Sequence, residues 1–242
     1  TEPNSLDRDG RERLPSWLDS MGDTEVTLAI RLRLACGLRR EEMCGLRWRD
    51  VDLDLHLLRV RVAVSQCEGK AFVKRPKTPR SRRDVPLEPD LEARLARRRK
   101  RVARECSPEA RERVGDLYVL GNARGDYYYP DRLSKEFGPI SKMLDLRWTA
   151  GRRIGLHDLR HTYATYLVAT GTDIKTVSSL MGHANAAMTL NTYASADPDA
   201  RASALETIAR QMAARPRRDV RRRPALSDSD DAEGEVWELR VV

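Results

Sequence analysis

The run Leu156-His157-Asp158-Leu159-Arg160-His161-Thr162-Tyr163-Ala164-Thr165 admits few conformations. Apolar residues fall at 156, 159, 163, 166 and 167, the i, i+3, i+4, i+7 spacing of one buried helical face. A chain with this run must therefore bring other elements against the helix. His157 and Arg160 stand one turn apart beside the stripe, which predicts them at the rim of the core, facing whatever docks there. Taken alone, the pattern also suits an ordinary polar helix edge. Its meaning depends on which other residues can reach it.

Composition narrows the partners. The 242 residues are 40% hydrophobic and 34% charged, and no apolar run approaches the roughly 20 residues of a membrane span. A soluble, cytoplasmic protein with no membrane partner is expected. There is no signal peptide, and the chain opens on Thr1, so it reads as a fragment. The net charge of +8 is carried mostly by arginine and favours a polyanion, DNA or RNA, through phosphate contacts. Aromatic residues are only 5%, which argues against binders that stack single-stranded bases. Cys36, Cys44, Cys67 and Cys106 form no C-x-x-C pair or Cys/His cluster. Buried free thiols and no metal site are expected.

Periodicity predicts an α+β chain that is mostly helical. A first helix capped by Ser5 should run toward Trp17 and Leu18, and a second, capped by Thr24, should span 25–35. Gly37 interrupts it, and a short helix resumes over 40–46. From His56 the period changes to two, with Leu58, Val60, Val62 and Val64 on one face of a single strand. Turns at 68–69 and 78–81 then give a small three-stranded antiparallel sheet whose second hairpin is basic. Further helices are expected over 89–104, 131–144 and 157–167. Asp173 should cap another over 174–181, which Gly182 ends in the left-handed region. Short helices through Tyr193 and after Pro198 follow. The tail is basic over 215–223 and acidic over 227–235, a composition of disordered segments, with a terminal strand possible at 236–242.

Four pieces of this chain carry chemistry: Gly37-Leu38-Arg39 with Glu42; Pro76-Lys77-Thr78 leading to Arg83-Asp84-Val85-Pro86-Leu87; the helix at 157; and Leu180-Met181-Gly182-His183 followed by Thr189-Leu190-Asn191-Thr192-Tyr193. In this order and spacing they resemble the catalytic domain of the tyrosine recombinase (phage integrase) family over roughly residues 25 to 195. The resemblance implies the family's catalytic fold over 1–213, a tail over 214–242, and a missing N-terminal core-binding domain. It implies that Arg39 and Arg160 clamp a scissile phosphate and that Tyr193 is the nucleophile. His157 would take the base role, His183 would hydrogen-bond the phosphate, and Lys77 would be the general acid, with Lys74 its rival. Glu42 would orient the site, and Arg40, Arg80, Arg82 and Arg83 would contact the phosphate backbone of DNA. His161 is expected to be a structural helix residue.

The implied reaction is strand exchange in double-stranded DNA through a 3′-phosphotyrosyl ester. That ester conserves the bond energy, so no cofactor is expected. The implied partners are attachment-site DNA, three further copies of the chain on that DNA with a monomer in isolation, and an excision or directionality factor, in the nucleoid. Integration or excision of a mobile element or prophage is the implied purpose. A type IB topoisomerase and a non-catalytic integrase relic are the rival readings. The spacing from His183 to Tyr193 favours the recombinase, and the presence of every expected catalytic residue type speaks against the relic.

Overall fold

The segment Glu25–Cys36 has apolar residues on every side, so it can be stable as a helix only when surrounded. It forms the centre of the fold. The computed structural model describes residues 5–67, 70–74, 82–148 and 151–183. Among these the chain runs α1 (Arg8–Ser20), α2 (Glu25–Cys36), α3 (Arg40–Gly45), β1 (Val51–Asp52), β2 (Leu57–Val60), β3 (Ala63–Cys67), β4 (Lys70–Lys74), β5 (Arg83–Pro86), α4 (Pro89–Glu105), α5 (Pro108–Glu112), α6 (Pro130–Met143), α7 (Asp158–Ala169) and α8 (Ile174–Met181). Helices α3, α4, α6 and α7 all pack on α2, and Leu28, Ala29, Ile30 and Leu32 are fully buried. None of the described helices is long and apolar enough to cross a membrane.

The helix caps follow the sequence closely. Thr24 and Thr27 form a reciprocal capping box at the start of α2, and the Asp173 side chain accepts from the Thr176 N–H at the start of α8. Gly37 and Gly182 end α2 and α8 in the left-handed region, with φ of 60° and 61°. The first helix departs from expectation: it begins at Arg8 with Asp7 as its cap. Ser5 is buried instead, next to Leu6, whose N–H donates to Thr162 Oγ1 at 3.0 Å.

The expected single strand after His56 is two strands. β2 pairs antiparallel with β1 and β5, making the three-stranded sheet β1-β2-β5, while among the described residues β3 pairs with β4 in a separate hairpin. The break falls at Arg61-Val62, where α3 comes down on the chain. A Cβ on Gly45 would lie 2.8 Å from Ala63 Cα and 3.0 Å from the Val62 carbonyl oxygen. The period of two continues through the break because Leu58, Val60 and Val64 still point inward. The basic turn at 75–81, and everything after 183, lies outside the described residues.

Helix α7 is buried on more of its surface than its apolar stripe predicts. Leu156, Leu159 and Tyr163 are buried as expected, but so are Arg160, Thr162, Ala164 and Thr165, while Tyr166 is 64% exposed. The reason is the closeness of α2. A Cβ on Gly37 would meet Tyr163 Cδ1 at 2.3 Å. Gly37→Ala therefore combines left-handed strain with overpacking and is predicted to cost about 3 kcal/mol. Gly171→Ala, at φ 82° with nothing within 4 Å, incurs only the strain, about 1 kcal/mol. Denaturant unfolding of both variants checks this; equal losses would contradict the close approach.

Candidate active site

Two arginines, Arg39 and Arg83, converge on the Glu42 carboxylate at the junction of α3, β5 and the end of α8, and Arg160 of α7 lies beside them. Arg39 precedes α3. Its Nη1 donates to Glu42 Oε1, its backbone N–H to Glu42 Oε2 and its Nη2 to the Gly182 carbonyl, each at 2.8 Å. Arg83, from β5, forks onto the same carboxylate, Nη1 to Oε1 at 3.0 Å and Nη2 to Oε2 at 2.8 Å. Its Nε donates to the Leu180 carbonyl at 2.6 Å. Arg160, from α7, donates to the carbonyls of Gly37 and Met181. Arg39 and Arg160 thus hang from adjacent carbonyls of the α8 terminus.

Burial pushes the Glu42 carboxyl up, but the hydrogen bonds and charge of Arg83, with the charge of Arg39, outweigh it and leave its pKa at about 2. Burial, and then the charge of Arg39, lowers Arg160 to about 9, so it remains a cation at neutral pH. His183 follows Gly182 and donates its backbone N–H to the Ser178 carbonyl at 3.0 Å. Burial and the charge of Arg160 hold its imidazole at about 4, and burial with the neighbouring His157 holds His161 at about 4. The His157 and His161 rings meet edge to face, 5.1 Å apart. His157 is exposed, with its pKa lowered by burial of part of the ring and by Arg33. The result is a cluster of fixed cations among neutral imidazoles. Such a site can stabilise an anion whose charge grows during reaction.

Several sequence expectations change. Arg160 is not at the rim; it is 3% exposed, because α7 is pressed against α2. Arg83, expected at the DNA backbone, is a buried brace, 7% exposed, with its fork on Glu42. Arg40 reaches toward α6 and is ion-paired with Glu41 at 2.9 Å and Asp131 at 3.2 Å. Arg82 is exposed. Tyr193, Lys77 and Arg80 lie outside the described residues; Lys74 is exposed on β4. No group of three or more His, Cys, Asp or Glu that could hold a metal occurs among the described residues. The buried thiols expected at Cys36 and Cys44 are present and free.

One residue escaped the sequence reading. Arg33 is fully buried in α2, with Nη1 donating to the Leu38 carbonyl at 2.8 Å and Nη2 lying 3.0 Å from His157 Nδ1. The available signal was a cation inside a helix without a polar face.

Comparison with known proteins places the chain in a family. The sequence profile of the phage integrase family matches residues 5–199. A XerC-like tyrosine recombinase of Caldanaerobacter subterraneus is 32% identical over 189 residues, covering 73% of this chain and 47% of that protein. The ICEBs1 integrase of Bacillus subtilis is 29% identical over 171 residues, covering 70% of this chain and 44% of that protein. The chain thus spans about half the length of the curated relatives it matches. Among solved structures, the Tn1549 transposon integrase in complex with transposon right-end DNA superposes with a TM-score of 0.63 at 25% identity, over 86% of this chain and 67% of that one. XerA recombinase gives 0.63 at 21% identity, over 89% and 67%, a likeness of fold.

Glu42 has a testable signature in pH. Its folded pKa, about 2, lies below the ordinary 4.5, so its stabilisation is complete above pH 4.5 and is lost as pH falls toward 2. The difference corresponds to about 3 kcal/mol. Glu42→Gln is predicted to lose about that much at pH 7 and to lack the wild-type decline between pH 4.5 and 2. Chemical denaturation across pH measures both. A variant as stable as wild type at pH 7 would contradict the assignment.

Proposed function

The chain belongs to the phage integrase family, and on that premise we propose that it carries the catalytic machinery of a site-specific DNA recombinase. The observation that supports this most is the meeting of Arg39 and Arg160, far apart in sequence, on the neighbouring carbonyls of Gly182 and Met181 beside His183. Each guanidinium has five N–H donors, and these contacts leave donors for a phosphate.

In the reaction, the Tyr193 oxygen gives up its proton to water and attacks the scissile phosphorus. A phosphotyrosyl bond forms to the 3′ side, and the bond from phosphorus to the 5′ oxygen breaks. The departing 5′ oxygen takes a proton, which Lys77 is placed by resemblance to give. Arg39 and Arg160 neutralise the charge that accumulates on the non-bridging oxygens, and His157 and His183 add hydrogen bonds. A 5′-hydroxyl from a partner strand then attacks the phosphotyrosine and restores the backbone. A phenol ordinarily loses its proton near pH 10, and the surrounding guanidinium charge favours its anion.

DNA is the partner in this reading. Four copies paired on attachment sites, a directionality factor and action in the nucleoid belong to the same proposal. The resemblance to the ICEBs1 integrase and to a transposon integrase favours a mobile element as the source of the sites. The 1–213 segment would form the catalytic domain and 214–242 a tail.

The test is covalent trapping. Excess protein incubated with a nicked suicide duplex carrying the element's attachment site should give a DNA adduct that survives denaturation. Tyr193→Phe should give none, and Arg160→Lys should slow adduct formation by about 10²–10³-fold. An adduct that persists in Tyr193→Phe, or no adduct with wild type, would overturn the proposal.

A further inference from the structure

The contacts of the buried Arg33 are with the chain itself, at Leu38 and His157. Its Nη1 is held by the Leu38 carbonyl at 2.8 Å, and its Nη2 lies 3.0 Å from His157 Nδ1 and 3.2 Å from the His157 carbonyl. A guanidinium offers only N–H donors. Burial brings its pKa down to about 10, which leaves it protonated at neutral pH. A contact of this length between its Nη2 and an imidazole nitrogen is a hydrogen bond only if that nitrogen presents a lone pair.

From this geometry we infer that Arg33 is a positioning residue that fixes His157 as the neutral Nε2–H tautomer, so that His157 meets the phosphate as a hydrogen-bond donor and not as the proton acceptor. The ring has one lone pair, at Nδ1, and Arg33 occupies it. The proton of the attacking phenol then passes to solvent water. This rests on the proposed function only for the identity of the anion; the tautomer follows from Arg33 alone. The other groups around the ring are Asp158, Arg160 and His161 on α7, and Arg40 and Glu41 on α3, with Ser134 of α6 lining the same hollow. Asp158 and Glu41 favour a charged ring, while Arg33 and Arg160 oppose it, along with burial. Of these, Arg33 alone is in hydrogen-bonding contact with Nδ1.

The inference is tested by long-range ¹H–¹⁵N correlation spectra of the ¹⁵N-labelled chain, with the His157 signals identified by their loss in His157→Gln. In the wild type, Nδ1 should show the unprotonated lone-pair signature and Nε2 the protonated one at neutral pH. The ring should titrate below the ordinary histidine value of about 6.5. In Arg33→Met both tautomers should appear and the midpoint should rise; Arg33→Lys, which retains a donor, should restore the lone-pair signature. A proton on Nδ1 in the wild type would overturn the inference. So would an Arg33→Met spectrum with unchanged tautomer and midpoint. If Arg33→Met does not fold, the wild-type spectrum still decides the tautomer. Failure of DNA cleavage with the expected tautomer would contradict the proposed function alone, and the wrong tautomer in a cleaving enzyme would contradict this inference alone.

Discussion

The Glu42 carboxylate accepts hydrogen bonds from the Arg39 backbone, the Arg39 guanidinium and both ends of the Arg83 fork, and much of the fold is placed by that arrangement. Arg83 brings in β5, Arg39 brings in the break between α2 and α3, and both reach on to carbonyls of the α8 terminus. Burying the Arg83 guanidinium without a carboxylate would cost several kcal/mol, and Arg39, its side chain 36% exposed, sets a second cation on the same carboxylate. One carboxylate cannot cancel them together with Arg160, so the cluster stays net positive. That residual charge suits the proposed role of holding an anion, and the bracing leaves little to reorganise on binding.

Helix ends do the remaining positioning. Gly37 and Gly182 turn α2 and α8 out of their helical paths in the left-handed region, and the carbonyls there find guanidinium partners. The Gly37 and Met181 carbonyls hold Arg160, Leu180 and Gly182 hold Arg83 and Arg39, and Leu38 holds Arg33. Carbonyls at a helix C-terminus lack partners in their own helix and carry partial negative charge, so they suit cations. The tight fit of Gly182 reinforces this: a Cβ there would lie 2.8 Å from Arg83 Nη1. The same geometry that ends α8 therefore delivers His183 to the site.

What could be read from residues alone was the local part. Thr24, Asp173, Gly37 and Gly182 announce helix boundaries because capping depends on a few neighbouring residues. The convergence of Arg39, Arg160 and His183 was accessible only through resemblance, because nothing within either local sequence records that two segments 121 positions apart will touch. The burial of Arg83 and of Arg33 had no sequence signature for a related reason. Among so many surface arginines a buried one has no local mark, and its identity depends on a distant acceptor: Glu42 for the first, His157 for the second. The strand break at Arg61-Val62 was hidden because the inward alternation continues across it, and its cause, Gly45, lies on another element.

In the proposed function, a Glu42-braced arginine cluster is a phosphate site already formed before DNA arrives. A crystal structure of the chain on a duplex with its scissile phosphate intact tests it most directly. Non-bridging oxygens are expected within about 3 Å of the Arg39 and Arg160 guanidiniums, with Glu42 still bridging Arg39 and Arg83. A phosphate bound elsewhere, or Arg39 detached from Glu42 in order to reach it, would rule out a preformed site.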